Sequence, residues 1–213
     1  VLIYLLGGLG ILIKNYDKLG SVFNLIFSDA FTGNAVVGGV VGEVIRQGIR
    51  RAVFSNEAGL GTEVMAHGAA KTKEPVREGL VAMLGPFIDT ILVCSITAFA
   101  ILVSGVWNDP TLNGVSMTAK AFSNELGFLG EFILFFSVFT FSVTTMFGQS
   151  YYGAKCTGFL FGSRWKVNYN WFYVLSTIFG ATVSISIVIN LIDGMYAIMA
   201  IPTMVSTILL APK

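Results

Sequence analysis

Apolar stretches of helical length, separated by short polar turns, run through the whole of this chain. A lipid-spanning helix needs about 17–25 mostly apolar residues. Residues 79–106, 127–161, 170–191 and 195–211 meet that demand, the last interrupted at Pro202. Residues 1–13 are apolar but short, and read as the end of a truncated helix. Lys14-Asn15-Tyr16-Asp17-Lys18 opens a loop, and residues 21–32 have the pattern of an amphipathic, interfacial segment. Residues 34–70 read as one broken helix with arms near 36–53 and 60–70. A charged turn at 71–77 follows it. The stretch 107–126 reads as a polar loop with a short helix, and Asp193-Gly194 as a turn. The sum is an all-α integral membrane protein with about five spans and a stub.

Composition sharpens this picture. The 213 residues are 54% hydrophobic and 12% charged, against about 25% charged in a soluble domain. A soluble globular protein is thereby excluded. The net charge of +1 supplies no basic field for nucleic acid. Cys94 and Cys156 stand in apolar surroundings and form no disulfide framework. No cleavable signal peptide is visible. Val1 opens the chain inside an apolar run and Lys213 closes it just after another, so the chain reads as a fragment of a longer protein. Basic loop residues favour the cytoplasm. Lys71, Lys73, Arg77, Lys155, Arg164 and Lys166 lie on turns two spans apart, which assigns these turns, and Lys213 with them, to the cytoplasmic side. Arg46, Arg50 and Arg51 lie nearer the opposite side and complicate the count.

The candidate chemistry sits at Phe54-Ser55-Asn56-Glu57-Ala58-Gly59-Leu60-Gly61. In lipid, a helix break survives only where protein or a water-filled cavity surrounds it. Transporters use such breaks to bind substrates and ions. The second arm spans roughly 16 Å at 1.5 Å per residue, about half of a 30 Å hydrocarbon core. The break therefore falls near the midplane, where a helix end offers free N–H groups to an anion. The same residues also suit a buried kink in which Asn56 caps the second arm. A carboxylate at midplane depth is costly unless paired or hydrated. Glu57 is thus placed to coordinate a cation, to carry a proton, or to pair with Arg50 or Arg51 of the first arm. Glu43, Arg46 and Gln47 give that arm a polar stripe.

A second polar cluster, Ser142 to Gly153, lies within the span 127–161. Thr145 and Gln149 are four residues apart and share a face, with Thr144 beside them. Hydroxyl and carbonyl oxygens suit a hard cation; hydroxyls in helices also return to their own carbonyls or bond a neighbouring helix. Asp89 lies in an apolar span three residues after Pro86, where it is either functional or a local partner for the kink. His67 is the sole histidine and reads as a packing or hydrogen-bonding residue. No metal-ligand cluster, phosphate loop or nucleophile–base pair points to an enzyme.

Phe54 to Gly61, Ala66-His67, Ala69-Ala70-Lys71-Thr72, Pro75-Val76, Phe87-Ile88-Asp89-Thr90, Ser150-Tyr151-Tyr152-Gly153 and Met199-Ala200-Ile201-Pro202 together resemble the sodium:alanine symporters, or alanine or glycine:cation symporter family. The resemblance runs through nearly the whole chain. It implies a leucine-transporter-like fold of the APC superfamily, built from two inverted five-helix repeats. This chain then corresponds to the end of the first repeat and all of the second, with the missing N-terminal repeat as its partner. The resemblance places substrate at Phe54, Ser55, Asn56, Gly59, Thr145 and Gln149, and co-transported sodium at Thr144 and Thr145. Glu57, Asp89 and Arg50 are further intramembrane polar residues. Many family members carry Trp where Gln149 stands, so the pocket wall here is smaller and more polar.

The function expected from these readings is sodium-coupled symport of a small neutral amino acid (alanine, glycine or a polar relative) through the lipid bilayer of a prokaryotic-type plasma membrane. Proton coupling through Glu57 or Asp89 is the alternative. A channel or structural subunit fits less well: no repeated filter signature is present, and a structural subunit needs no polar break.

Overall fold

The computed structural model describes residues 1–31, 40–57 and 59–210. It is 87% helical, and no strand occurs among the described residues. The helices are α1 (Leu2–Lys14), α2 (Tyr16–Phe31), α3 (Val40–Asn56), α4 (Thr62–His67), α5 (Pro75–Ser104), α6 (Gly114–Leu126), α7 (Phe128–Phe161), α8 (Trp165–Thr182) and α9 (Ile185–Leu210). By length and composition, α5, α7 and α9 are apolar enough to cross a membrane. The expected beginning of the broken helix at 34–39, the end of the last span at Ala211, and Lys213 lie outside the described residues, as do Ala58 and the side chain of Glu43.

The chain divides into two compact units, Val1–Gly48 with Pro86–Ser142, and Ile49–Gly85 with Val143–Lys213. The first is built on an apolar core of Tyr4, Ile11, Ala100, Phe122 and Leu134. Ile11, Ala100 and Phe122 are wholly buried. Tyr4 stacks on Phe122 with ring centroids 5.4 Å apart, and its hydroxyl lies 2.5 Å from Thr97 Oγ1. Small residues let helices approach closely in lipid, where packing rather than water exclusion drives association. Gly8 serves this end: a Cβ there would collide with the Ile96 side chain. At the end of α1, Asn15 Nδ2 donates to Glu125 Oε2 at 2.7 Å and Lys14 Nζ to the Glu125 carbonyl at 2.5 Å. The stub expected at 1–13 is here a packed helix. Only Asn15 separates it from α2.

The short helix expected within the polar loop at 107–126 is the 13-residue α6, where Asn113 and Ser116 form a reciprocal capping box. Before it, Asp109 accepts from the Thr111 hydroxyl at 2.6 Å and its N–H at 2.9 Å. These bonds hold its carboxyl below the usual carboxylate range. Within α5, Pro86 is followed by a π-helical stretch, Phe87–Cys94, which contains Asp89. Proline removes a ladder donor, and a widened turn is a common answer to such a break.

In the second unit the turn expected at Asp193-Gly194 is absent. Both residues lie inside α9, and the chain breaks at Val183-Ser184 instead, with Val183 extended at φ −93°, ψ 152°. The Ser184 carbonyl accepts from Ile187 and Val188 to start α9. Asp193 lies within that helix with its carboxylate paired with Arg50. Pro202 sits within the helix. Tyr173 of α8 donates its hydroxyl to the Met146 carbonyl of α7 at 3.0 Å.

Candidate functional site

The break between α3 and α4 is made by backbone geometry. Glu57, Gly59 and Gly61 have φ of 53°, 81° and 85°. Glycine takes this left-handed region without a Cβ clash; glutamate does so at a cost of order 1 kcal/mol or more. Glu57 is the one non-glycine residue with positive φ among the described residues. A turn bond from Leu60 N to the Glu57 carbonyl, 3.2 Å, closes the break, and Leu60 anchors it at 3% exposure. Thr62 follows, 5% exposed, and its Oγ1 has no hydrogen-bond partner among the described residues.

Two further segments of the second unit, residues 143–161 of α7 and α9, meet this break. From α7, Gln149 Nε2 donates to Glu57 Oε1 at 2.7 Å. Thr145 lies one turn before Gln149 on the same face and is exposed, as is Thr144. From α9 comes a ladder of contacts. Arg50 is ion-paired with Asp193, with its Nη2 also donating to Asn190 Oδ1 at 3.1 Å. One turn nearer the break, Phe54 meets Tyr196 with ring centroids 5.8 Å apart. At the break itself, Thr203 approaches Gly61 so closely that a Cβ there would stand 3.1 Å from its Oγ1.

Of the residues singled out in the sequence, the structure joins Glu57 to Gln149 directly. It places Phe54, Ser55 and Asn56 in the last turn of α3 and Gly59 in the break. Asp89 belongs to the other unit. The pairing of Glu57 with Arg50 or Arg51 does not form. Arg50 turns to Asp193, and Glu57 is met by an amide instead. Asn190, Asp193, Tyr196 and Thr203 escaped the sequence reading. Their spacing of three, three and seven marks one helical face, but the assumed turn at Asp193 interrupted that periodicity.

Further along α4, His67 Nδ1 lies 2.7 Å from Glu78 Oε1. The pair lines an open cleft of about 470 Å³ together with Glu63, Thr72 and Pro75. This cleft belongs to the charged turn and not to the break.

Comparison with known proteins agrees with the family resemblance. The family model for the sodium:alanine symporter family matches residues 1–213. The chain belongs to that family. It is 40% identical over 211 residues to the sodium/alanine symporter AgcS of Methanococcus maripaludis, with 98% of this chain and 46% of that protein aligned. It is 33% identical to the probable sodium/glutamine symporter GlnT of Bacillus subtilis, over 94% of this chain and 42% of the relative. A third relative, the amino-acid carrier protein AlsT of Bacillus subtilis, is 30% identical over 98% of this chain and 45% of its own length. The chain thus spans about half the length of the curated relatives it matches. Family and apolar helices together make it an integral membrane protein.

Proposed function

We propose that this chain forms the second half of a secondary transporter of the plasma membrane, which carries a small neutral amino acid together with sodium. Its fold is then the second inverted repeat of a leucine-transporter-like protein, and the preceding half of the same transporter completes the site. The observation that carries the reading is the break at Glu57–Gly61, bonded to the polar face of α7 through Gln149. Interrupted helices at membrane depth serve to bind substrate and ions. The relatives' names, a sodium/alanine symporter and a probable sodium/glutamine symporter, point to the same class of cargo.

In this reading Phe54, Ser55, Asn56 and Gly59 present backbone and side-chain groups to the amino acid, and Thr145 and Gln149 face it from α7. Thr144 and Thr145 supply hydroxyl oxygens to sodium, a hard cation that oxygen donors suit. The ion is co-transported cargo. Arg50 is part of the scaffold through its pair with Asp193.

The test is uptake of labelled alanine, serine and glutamine by the full-length protein in proteoliposomes. Accumulation that collapses when choline replaces sodium supports the reading. Accumulation driven by a pH gradient without sodium supports the proton-coupled alternative. No accumulation of any of the three contradicts both.

A further inference from the structure

We propose that Glu57 is a positioning residue that fixes which face of the Gln149 amide the pocket presents, and thereby selects substrates whose side chain donates a hydrogen bond. The inference rests on the reading of this break as an amino-acid site. Gln149 has one planar carboxamide with a donor end and an acceptor end. Left alone, it turns over to suit either kind of partner. Here its Nε2 is committed to Glu57 Oε1 at 2.7 Å, and a carboxylate oxygen only accepts. The Oε1 end therefore faces away from Glu57, and it has no protein partner among the described residues. With one Nε2 hydrogen spent on Glu57, the end turned away from Glu57 is the acceptor.

The backbone supports this role. A glutamate at φ 53° is held where glycine or asparagine would sit at lower cost. Strain of this kind persists only where the surrounding structure over-determines it. The Leu60–Glu57 turn bond and the buried Leu60 side chain fix the residue on one side. The Gln149 bond fixes it on the other. An ordinary charge partner is not the explanation: Arg50 is paired with Asp193, and among the described residues Arg51 makes no ion pair with Glu57.

A site built to hydrogen-bond its substrate discriminates by leaving a group unpaired when the wrong analogue enters. A side-chain hydroxyl or carboxamide N–H satisfies Gln149 Oε1. An ether oxygen does not, and leaves two acceptors facing each other. L-homoserine and O-methyl-L-serine test this, being constitutional isomers with the same number of heavy atoms. The first donates and accepts, whereas the second only accepts.

The experiment is competition by these two isomers against labelled serine uptake in the full-length protein. In the wild type, homoserine is expected to compete about tenfold better, the worth of one good hydrogen bond. In Glu57→Ala the freed amide turns its Nε2 to the ether oxygen, so O-methyl-L-serine competes at least threefold better than in the wild type. Glu57→Leu, which keeps much of the side-chain volume and offers no acceptor, shows the same gain and carries the test where the alanine variant fails to accumulate in the membrane. In a Gln149→Met background the Glu57 substitutions no longer alter the ratio. A gain in affinity is a readout that loss of structural support does not produce. Equal competition by the two isomers in the wild type, or no gain for the ether in either variant, overturns the inference while leaving the transport reading standing. Absence of serine, alanine and glutamine uptake in the wild type overturns the transport reading, and this inference with it.

Discussion

The two units of this chain are held together by different physics. The first closes around Ile11, Ala100 and Phe122, all wholly buried, with glycines admitting close helix contact. In the second, Leu60 is the one buried apolar residue among the described residues, and specific polar links tie its elements. Arg50 pairs with Asp193, Glu57 with Gln149, and His67 with Glu78. Close-packed contacts have one good arrangement and lose energy in any other. Hydrogen bonds and half-exposed ion pairs are worth little net and exchange partners at modest cost. The packed unit therefore reads as scaffold. The polar unit reads as the part in which a ligand competes for existing bonds.

Breaking the scaffold should have the largest effect. Phe122→Ala opens a void in the tightest part of the core, and is expected to cost about 2–4 kcal/mol, since the cavity penalty remains in lipid although the transfer term shrinks. Thermal unfolding of the purified full-length protein measures this, and a change below about 1 kcal/mol would show that the core is not close-packed. Gly8→Val drives a branched side chain into Ile96 and should cost about 1–3 kcal/mol by overpacking. The same measurement checks it.

In the polar unit, Arg50→Ala strips Asp193 of its charge partner. Both side chains are partly exposed, at 30% and 21%, so the expected loss is only about 1–2 kcal/mol. The double variant Arg50→Ala, Asp193→Ala should be more stable than the sum of the two single losses predicts. Additive losses would mean that the pair is incidental.

Gln149→Trp should leave stability nearly unchanged, within about 1 kcal/mol, yet reorder substrates. It removes the amide and fills the space beside Glu57. Competition by unlabelled amino acids should then shift from serine and glutamine towards alanine and glycine. An unchanged ranking would remove Gln149 from the pocket.

The helix break was legible in the sequence because Asn56, Glu57, Gly59 and Gly61 fall within six residues between two helical patterns. Backbone punctuation of that kind is local, and local signals survive in a single sequence. The partners were not local. Local sequence pairs Arg50 with Glu57, seven residues away on the same segment, while its partner in the structure lies 143 residues on. Asp193-Gly194 carries the composition of a turn, but both residues lie within α9 and the aspartate is paired with Arg50 from another helix. A turn at that position would divide the face formed by Asn190, Asp193, Tyr196 and Thr203. The helix of α6 was underestimated for a related reason: its polar surface resembles a loop, and it is the burial of Phe122 and Ala121 that fixes it. The inverted-repeat relation rests on the resemblance, since no internal repeat is visible in these residues.

The central claim is that the polar unit binds the cargo and the packed unit does not. The sodium dependence of amino-acid uptake, measured in proteoliposomes for wild type, Thr145→Val and Ile11→Val of the full-length protein, tests it most directly. Thr145→Val keeps the shape and removes one oxygen, so the sodium concentration for half-maximal uptake should rise about tenfold or more, with little change in membrane expression. Ile11→Val, in the core of the packed unit, should lose about 0.5–1.5 kcal/mol of stability and leave the sodium dependence where it was. Sodium curves that coincide for wild type and Thr145→Val, or that shift equally for both variants, would contradict the account.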